Sequence, residues 1–368
     1  MAALAGASLM IGSAAFAASG WSVVPVPPTG NNAQLNGVSA RTSTDAWAVG
    51  QQFGAAGQAP PPPVSYHWNG STWSPVATPN FGQRANLLAV SASSASDAWA
   101  VGFSIPEGDD DTTLIEHWNG TAWSVTSSPV VTGLNARLTG VADLSPSNAW
   151  AVGEGSTGPL LEHWNGTAWS AATVPDPGFR PGAGQAISAS SATDIWLVGS
   201  TTNPATGTAA AEALHYNGTA WAVRAMQQPG TNTPTLAAVT AISAANAWAV
   251  GEDIGATSAL GGSTLIEHWN GSSWSVVPSP TPGAYPGLSG VAARGPNDVY
   301  AVGNNMPSIN GGVVQGMILR WNGSAWSADT DPTSGSYSPL YAAATLPGGT
   351  NEWAVGTLSS NPLIVSHG

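Results

Sequence analysis

Apolar positions in this chain come in short runs with a period of two, separated by Gly, Pro, Asn, Ser and Thr, and no stretch carries a helical period. In residues 20–80 the first run is Leu35–Arg41, LNGVSAR. The second, Ala46–Gly50, reads AWAVG, so Trp47 and Val49 point one way and two alanines the other. Ser65–Trp68 is a third candidate strand and Trp73–Val76 a fourth, bounded by Pro75 or Pro79 at an edge. Ser, Thr and Asp between the first and second runs suit a tight turn capped by its own side chains. Asn69-Gly70 predicts a hairpin between the third and fourth, because both residue types tolerate positive φ.

This unit recurs along the chain. Asp/Asn-x-Trp/Tyr-x-Val-Gly places an aromatic at Trp47, Trp99, Trp150, Trp196, Trp248, Tyr300 and Trp353, with steps of 52, 51, 46, 52, 52 and 53 residues. A second motif, Trp/Tyr-Asn-Gly-x-x-Trp, starts at Trp68, Trp118, Trp164, Tyr216, Trp269 and Trp321. Four strands per roughly fifty residues is the period of a propeller blade. The expected fold class is all-β: a seven-bladed β-propeller of four-stranded antiparallel blades.

The ends predict how the ring closes. Trp21 stands 26 residues before Trp47, as Trp73 stands 26 before Trp99, so Trp21–Val26 reads as a fourth strand lacking its own first three. Leu363–Gly368, LIVSHG, aligns with Leu265–Asn270, LIEHWN, as a third strand lacking a fourth. Together they complete one blade and remove two open edges. A single domain over 19–368 is expected, and a monomer. Met1–Ala18, MAALAGASLMIGSAAFAA, is apolar, short, and ends in Ala15-Phe16-Ala17, the pattern of a secretory signal peptide. The expected location is therefore extracellular or at the cell surface, without membrane insertion.

Composition narrows the chemistry. The seven cations are all Arg against 20 Asp plus Glu, for a net charge of −13, so nucleic acid is not an expected partner. The absence of Cys removes thiol nucleophiles, disulfides and thiolate metal sites, and the absence of Lys removes Schiff-base chemistry. No cofactor or metal is expected. Five of the six His fall at one repeat position, namely His67, His117, His163, His215 and His268. One per blade is too far apart to share a metal ion, so a structural hydrogen-bonding role is expected. Alternation puts Glu116, Glu162 and Glu267 on the opposite strand face. Six Asn-Gly-Ser/Thr sequons, from Asn69 to Asn322, are read as turns rather than glycosylation sites. Glu107 with Asp109, Asp110 and Asp111 lacks the spacing of a calcium loop and is expected to be solvated.

With AWAVG in the place of the second strand and spaced aromatics in the third and fourth, the repeat resembles that of secreted bacterial propellers of the kelch and galactose-oxidase-like kind. A single Gly, followed by Gln51, Phe103 or Glu154, stands where kelch repeats carry a Gly pair. The Gly70–Trp73 turn is also similar to the Asp-box of sialidases, with Trp68 where that motif has its Asp. No activity carries over. The copper chemistry of galactose oxidase uses a Tyr–Cys crosslink, which a chain without Cys cannot form, and a sialidase-like site would need three converging Arg with a Tyr and carboxylates.

The remaining candidates lie on loops. Second-to-third loops and blade-to-blade loops open on one rim, and their variable lengths mark it as the place for binding. Phe81, Phe179, Tyr285 and Tyr337 fall in blade-to-blade loops, out of register with the repeat, and Arg84 and Arg180 lie beside two of them. Arg84, Arg137 and Arg180 are the Arg residues in rim segments. The expected function is a secreted, non-enzymatic binding module recognising a glycan or an extracellular protein, with stacking on sugar faces by the four aromatics. The alternative is a carbohydrate-active hydrolase or lyase on the same scaffold.

Overall fold

In the computed structural model, blade one is a meander of Asn32–Thr42, Asp45–Phe53, Val64–Trp68 and Trp73–Val76, running from the central axis outward. The described residues are 20–368 apart from 56, 107–109, 130–134, 156–157, 174, 176–185, 203–208, 230–232, 256–260, 309 and 347–350. Blade two spans residues 84–125, blade three 137–171, blade four 186–224, blade five 233–276 and blade six 284–329. Blade seven is Leu340–Thr345, Glu352–Leu358 and Asn361–His367, completed by Trp21–Val23. The chain is thus an all-β, seven-bladed propeller. The closing strand pairs Trp21 with His367 and Val23 with Val365, and Val24 N–H adds a 2.8 Å bond to the Ile364 carbonyl. Pro25 then has no N–H to continue the ladder.

Alternation in AWAVG gives a blade a large face and a small face, except that blade four carries Ile195 and Leu197 in place of the two Ala. Trp47 and Val49 of blade one pack on Ala98 and Ala100 of blade two in one buried cluster. Trp47 lies 4.8 Å from Trp118 and 5.0 Å from Trp123, ring centre to ring centre. The second-strand Trp meets the outer-strand Trp of the next blade edge to face at 5.0–5.5 Å and 78–87° at six joints. Such pairs add about 0.5–1.5 kcal/mol beyond their buried area. At the remaining joint Tyr300 meets Trp21 at 5.7 Å.

Inner strands carry a bulge, seen between Leu35 and Gly37, between Leu87 and Ala89, and at the matching positions of blades three, five, six and seven. The bulge brings the inner-strand carbonyl against the motif Gly of the second strand. A Cβ on Gly50 or Gly102 would collide with the carbonyl oxygen of Gln34 or Asn86. The motif Gly is therefore required by close backbone approach. The seven inner strands enclose a narrow axial cavity of about 210 Å³ lined largely by Gly, Ala and Val.

The turns differ in detail from the hairpin expected. Each Asn-Gly connection is a four-residue loop, as in Asn69–Thr72 between the facing Trp68 and Trp73. Gly70 has φ +98°, while Asn69 is not in the left-handed region. The Asn acts through its side chain: Asn69 Oδ1 accepts bonds from the backbone N–H of Ser71 and Thr72, both at 3.0 Å. In the first turn, Thr42 Oγ1 accepts from Thr44 N–H at 3.3 Å, so the cap is the hydroxyl two residues earlier.

Three carboxylic acids lie inside the joints. Glu116, Glu162 and Glu267 are fully buried on the small face, where blades one, four, six and seven carry Tyr66, Leu214, Leu319 and Val365. Glu162 accepts from Ser128 Oγ at 2.7 Å and Glu267 from Gln227 N–H at 3.2 Å, while neither oxygen of Glu116 has a partner among the described residues. Burial pushes Glu116 up to about 8 and the other two to about 7.

Two predictions follow from these joints. Deleting residues 20–30 leaves the outer edge of Asn361–His367 unpaired and bares the Tyr300 face. Loss of one large buried aromatic costs about 3–5 kcal/mol, so the melting temperature falls well below that of the full chain; an unchanged melting curve would rule the closure out. The second concerns pH. An unfolded Glu ionises near 4.5 whereas Glu116 holds its proton to about 8, so the folded state binds more protons in between. Its contribution is complete below 4.5 and is lost as pH rises through 8. Glu116→Leu, the residue used by blades four and six, should flatten the fall of melting temperature between pH 5 and 8 and raise it at pH 8. A parallel, unflattened curve would show that Glu116 does not hold its proton.

Candidate functional site

Because each blade runs outward as a four-strand meander, one rim carries the first-to-second and third-to-fourth turns and the other carries the second-to-third and blade-to-blade loops. On the second rim the loop of blade one, residues 54–63, is long, while that of blade seven is Ser359-Ser360. It includes Pro60–Pro63, a stiff segment. Gln52 donates to the Pro62 carbonyl at 3.2 Å and Thr78 to the Pro63 carbonyl at 2.7 Å, which ties the segment down.

Against this wall, over blades one to three, opens a cleft of about 410 Å³. Its floor comes from inner-strand starts and second-strand ends, which the register sets side by side: Arg84 faces Ile105 and Asn86 faces Phe103. Arg137, the first residue of blade three, reaches in from the next strand. Its guanidinium carbon lies 4.5 Å from the centre of the Phe103 ring, and its Nε–H donates to the buried Asp111 carboxylate. One face and one edge of this guanidinium are thus held, leaving its outer N–H groups. Arg84 is exposed and has no ion-pair or hydrogen-bond partner among the described residues. Phe53 is 41% exposed at the loop side. Gln51, Gln52 and Gln58 supply neutral amides, and Asn86 is fixed by a 2.7 Å bond from Asn36 Nδ2.

Of the residues expected to bind ligand, Arg84 lines this cleft. Phe81 is half-buried against the cluster at the joint of blades one and two. Tyr285 is 51% exposed at the start of blade six, with φ +49°, and Tyr337 is 44% exposed before blade seven. These two belong to the same rim at other joints. Phe179 and Arg180 lie outside the described residues. Phe53, Phe103 and the amides were not singled out from sequence. The legible signal was the strand alternation continued past the motif Gly, which carries Gln51, Phe53, Phe103 and Ile105 onto the rim.

The acidic loop is not simply solvated. Glu107 and Asp109 lie outside the described residues, but Asp111 is 5% exposed because it meets Arg137 of the next blade. A cation from a strand distant in sequence decides its place.

The repeated His residues work within their blades. His117 lies on the Trp99 ring at 4.2 Å and its Nε2 meets Asp97 Oδ1 at 2.7 Å. His67 and His215 meet Asp45 and Asp194 in the same way, and His163 and His268 meet Asn148 and Asn246 at 3.0 Å. In blade six Arg320 takes the place of His and reaches Asp298 at 3.0 Å. Burial alone would raise the Asp45 carboxyl, but hydrogen bonds from His67 and Arg41 outweigh it and hold it below its ordinary value. Burial holds His163 and His268 low, where their partners are neutral amides. The Asp/Asn of the first motif is thus the partner of the His just before the second, a pairing hidden in sequence by the loop between them.

No protein-family model matches the chain, and no curated protein matches it. Solved structures do share the fold. YCF48 from Cyanidioschyzon merolae aligns over 95% of this chain and 98% of its own, at 18% identity and a TM-score of 0.58. YCF48 bound to D1 peptide aligns over 94% of each chain, at 16% identity and a TM-score of 0.59. A GH74 xyloglucanase from Xanthomonas campestris aligns over 93% of this chain but 55% of its own, at 15% identity and a TM-score of 0.55. A PL25 ulvan lyase bound to a glucuronate–rhamnose sulfate unit aligns over 91% of this chain and 93% of its own, at 8% identity and a TM-score of 0.57. Proteins of this shape include binders and glycan-active enzymes, so the fold does not choose between them.

The His arrangement yields a test. His117→Ala leaves the buried Asp97 with only the Ser93 hydroxyl and removes a ring from the Trp99 face, and should cost about 1–3 kcal/mol of stability. Elemental analysis should show equal metal content in wild type and variant. A stoichiometric transition metal lost with His117 would contradict the structural role.

Proposed function

We propose that this chain is a non-enzymatic binding module and that its ligand, a glycan, sits in the cleft over blades one to three. The observation that carries the reading is the lining. An exposed Phe53, the Phe103 ring, three Gln side chains and two Arg converge there. Aromatic faces take the C–H face of a sugar, while amides and guanidinium groups bond its hydroxyls. Among the described lining residues there is no carboxylate, His, Tyr, Ser or Thr to serve as general acid, base or nucleophile. That favours binding over the hydrolase or lyase alternative, which the likeness to the xyloglucanase and the ulvan lyase would otherwise support. Tyr285 and Tyr337 extend the same rim as further sugar contacts.

A protein partner is the second reading, favoured by the likeness in shape to YCF48 bound to D1 peptide. The apolar Met1–Ala18 segment supports an extracellular or cell-surface location. The motif order supports a kelch-like, galactose-oxidase-like repeat, and the closed ring supports a monomer. No helix among the described residues is long and apolar enough to cross a membrane.

A glycan array followed by calorimetry tests the proposal. Wild type should bind at least one glycan class with a dissociation constant in the micromolar to millimolar range, and Phe53→Ala should weaken it about tenfold with melting unchanged. If no glycan binds, while peptides with exposed carboxylates do, the protein-partner reading replaces it.

A further inference from the structure

Resting on the reading of the long-loop cleft as a glycan site, we propose that the glycan is acidic: a mixed chain in which a hexuronate carboxylate meets Arg84 and Arg137 while a neutral neighbouring sugar lies on Phe53. The argument begins with how the chain uses its few cations. Arg41, Arg294 and Arg320 are taken up by Asp45, Glu352 and Asp298. Among the described residues Arg84 and Arg224 have no such partner, although the protein carries a net charge of −13, and of these two only Arg84 lines a cleft with a second guanidinium.

Arg137 is already positioned. The Phe103 face and the Asp111 carboxylate fix its plane, so little side-chain freedom is lost when its outer N–H groups engage a ligand. Asp111 balances its charge, so the described lining keeps the single uncompensated positive charge of Arg84. A carboxylate presents two coplanar oxygens that match the guanidinium fork. One negative charge per register also suits the surroundings. A dense polyanion would be repelled by the field of the whole protein, whereas one carboxylate among neutral sugars meets a local cation inside a Debye length. The exposed Phe53 and the Gln side chains offer nothing to a second anion but suit a neutral pyranose.

The test uses the full chain, calorimetry, and tetrasaccharides alternating glucuronate with a neutral hexose. Three ligands are compared: the native acid, the same chain with its carboxyls reduced to alcohols, and a chain bearing a sulfate monoester instead. Wild type should bind the acid at least tenfold more tightly than the reduced form. Arg84→Gln should cut that preference to about threefold or less, weakening the acid far more than the reduced form, which loses only a hydroxyl contact. Arg84→Lys should restore part of it, since charge returns without the fork. Raising salt from about 0.05 to 0.5 M should weaken only the acid, and by several-fold, as one or two charges require. Matching melting curves confirm that the Arg84 variants are folded.

Equal binding of acid and reduced forms overturns the inference and leaves the glycan reading in place. Preference for the sulfate ester overturns the carboxylate assignment. Binding of none of the three, with none on a wider array, overturns the inference and the glycan reading together.

Discussion

The structure depends on one contact made seven times: a flat Trp or Tyr face of one blade pressed on the aliphatic face of the next, which is mostly Ala but Ile195 and Leu197 in blade four. A β-sheet covered on both sides cannot have two bulky faces and still pack at interior density. AWAVG resolves this by alternation, so Trp47 with Val49 on one blade meets Ala98 with Ala100 on the next. The outer-strand Trp then stands edge-on to the second-strand Trp. Because every joint needs both partners, the ring has no natural free end. The last joint is made by Trp21 on Tyr300, from opposite ends of the sequence.

That constraint shapes the polar chemistry. Most of the surface inside a joint is apolar, so the few charges there are either paired or protonated. Asp97 is held by His117, and Asp298 by Arg320 and Arg294. Glu116 has no partner among the described residues and keeps its proton instead. The joint that should carry a third-strand Trp in blade seven has His367, which sits 3.4 Å from Glu352. Against this economy of charge, the exposed Arg84 on the long-loop rim stands apart. Its place follows from the bulge that Gly102 permits, which sets the start of the blade-two inner strand beside the end of the second.

Blade number, strand order and closure were legible in the sequence because they rest on spacing, and spacing survives any choice of loop. The inward face of each strand was legible for the same reason: a period of two assigns Trp and Ala to opposite sides without knowledge of what covers them. Turn chemistry was legible in part. Asn-Gly marked the right connection, but the loop is four residues long and the Asn uses its side chain, while a Cβ at Gly70 would collide with Thr44 of the neighbouring turn.

The cleft was not legible, and neither was the Asp–His pairing. Arg84 and Arg137 are separated by a whole blade in sequence and meet in one lining only because adjacent inner strands start on the same rim. Asp111 reads as one more residue of a solvated acidic run until Arg137 stacks on Phe103 beside it. The sequence alone determined the repeat, its alternating faces and the way its two ends complete one sheet, since these are properties of period and spacing. Only the tertiary structure decided which side chains of different blades share a cleft, which carboxylates are buried and which cation is left free at that cleft. Those depend on distances between strands that no local pattern encodes.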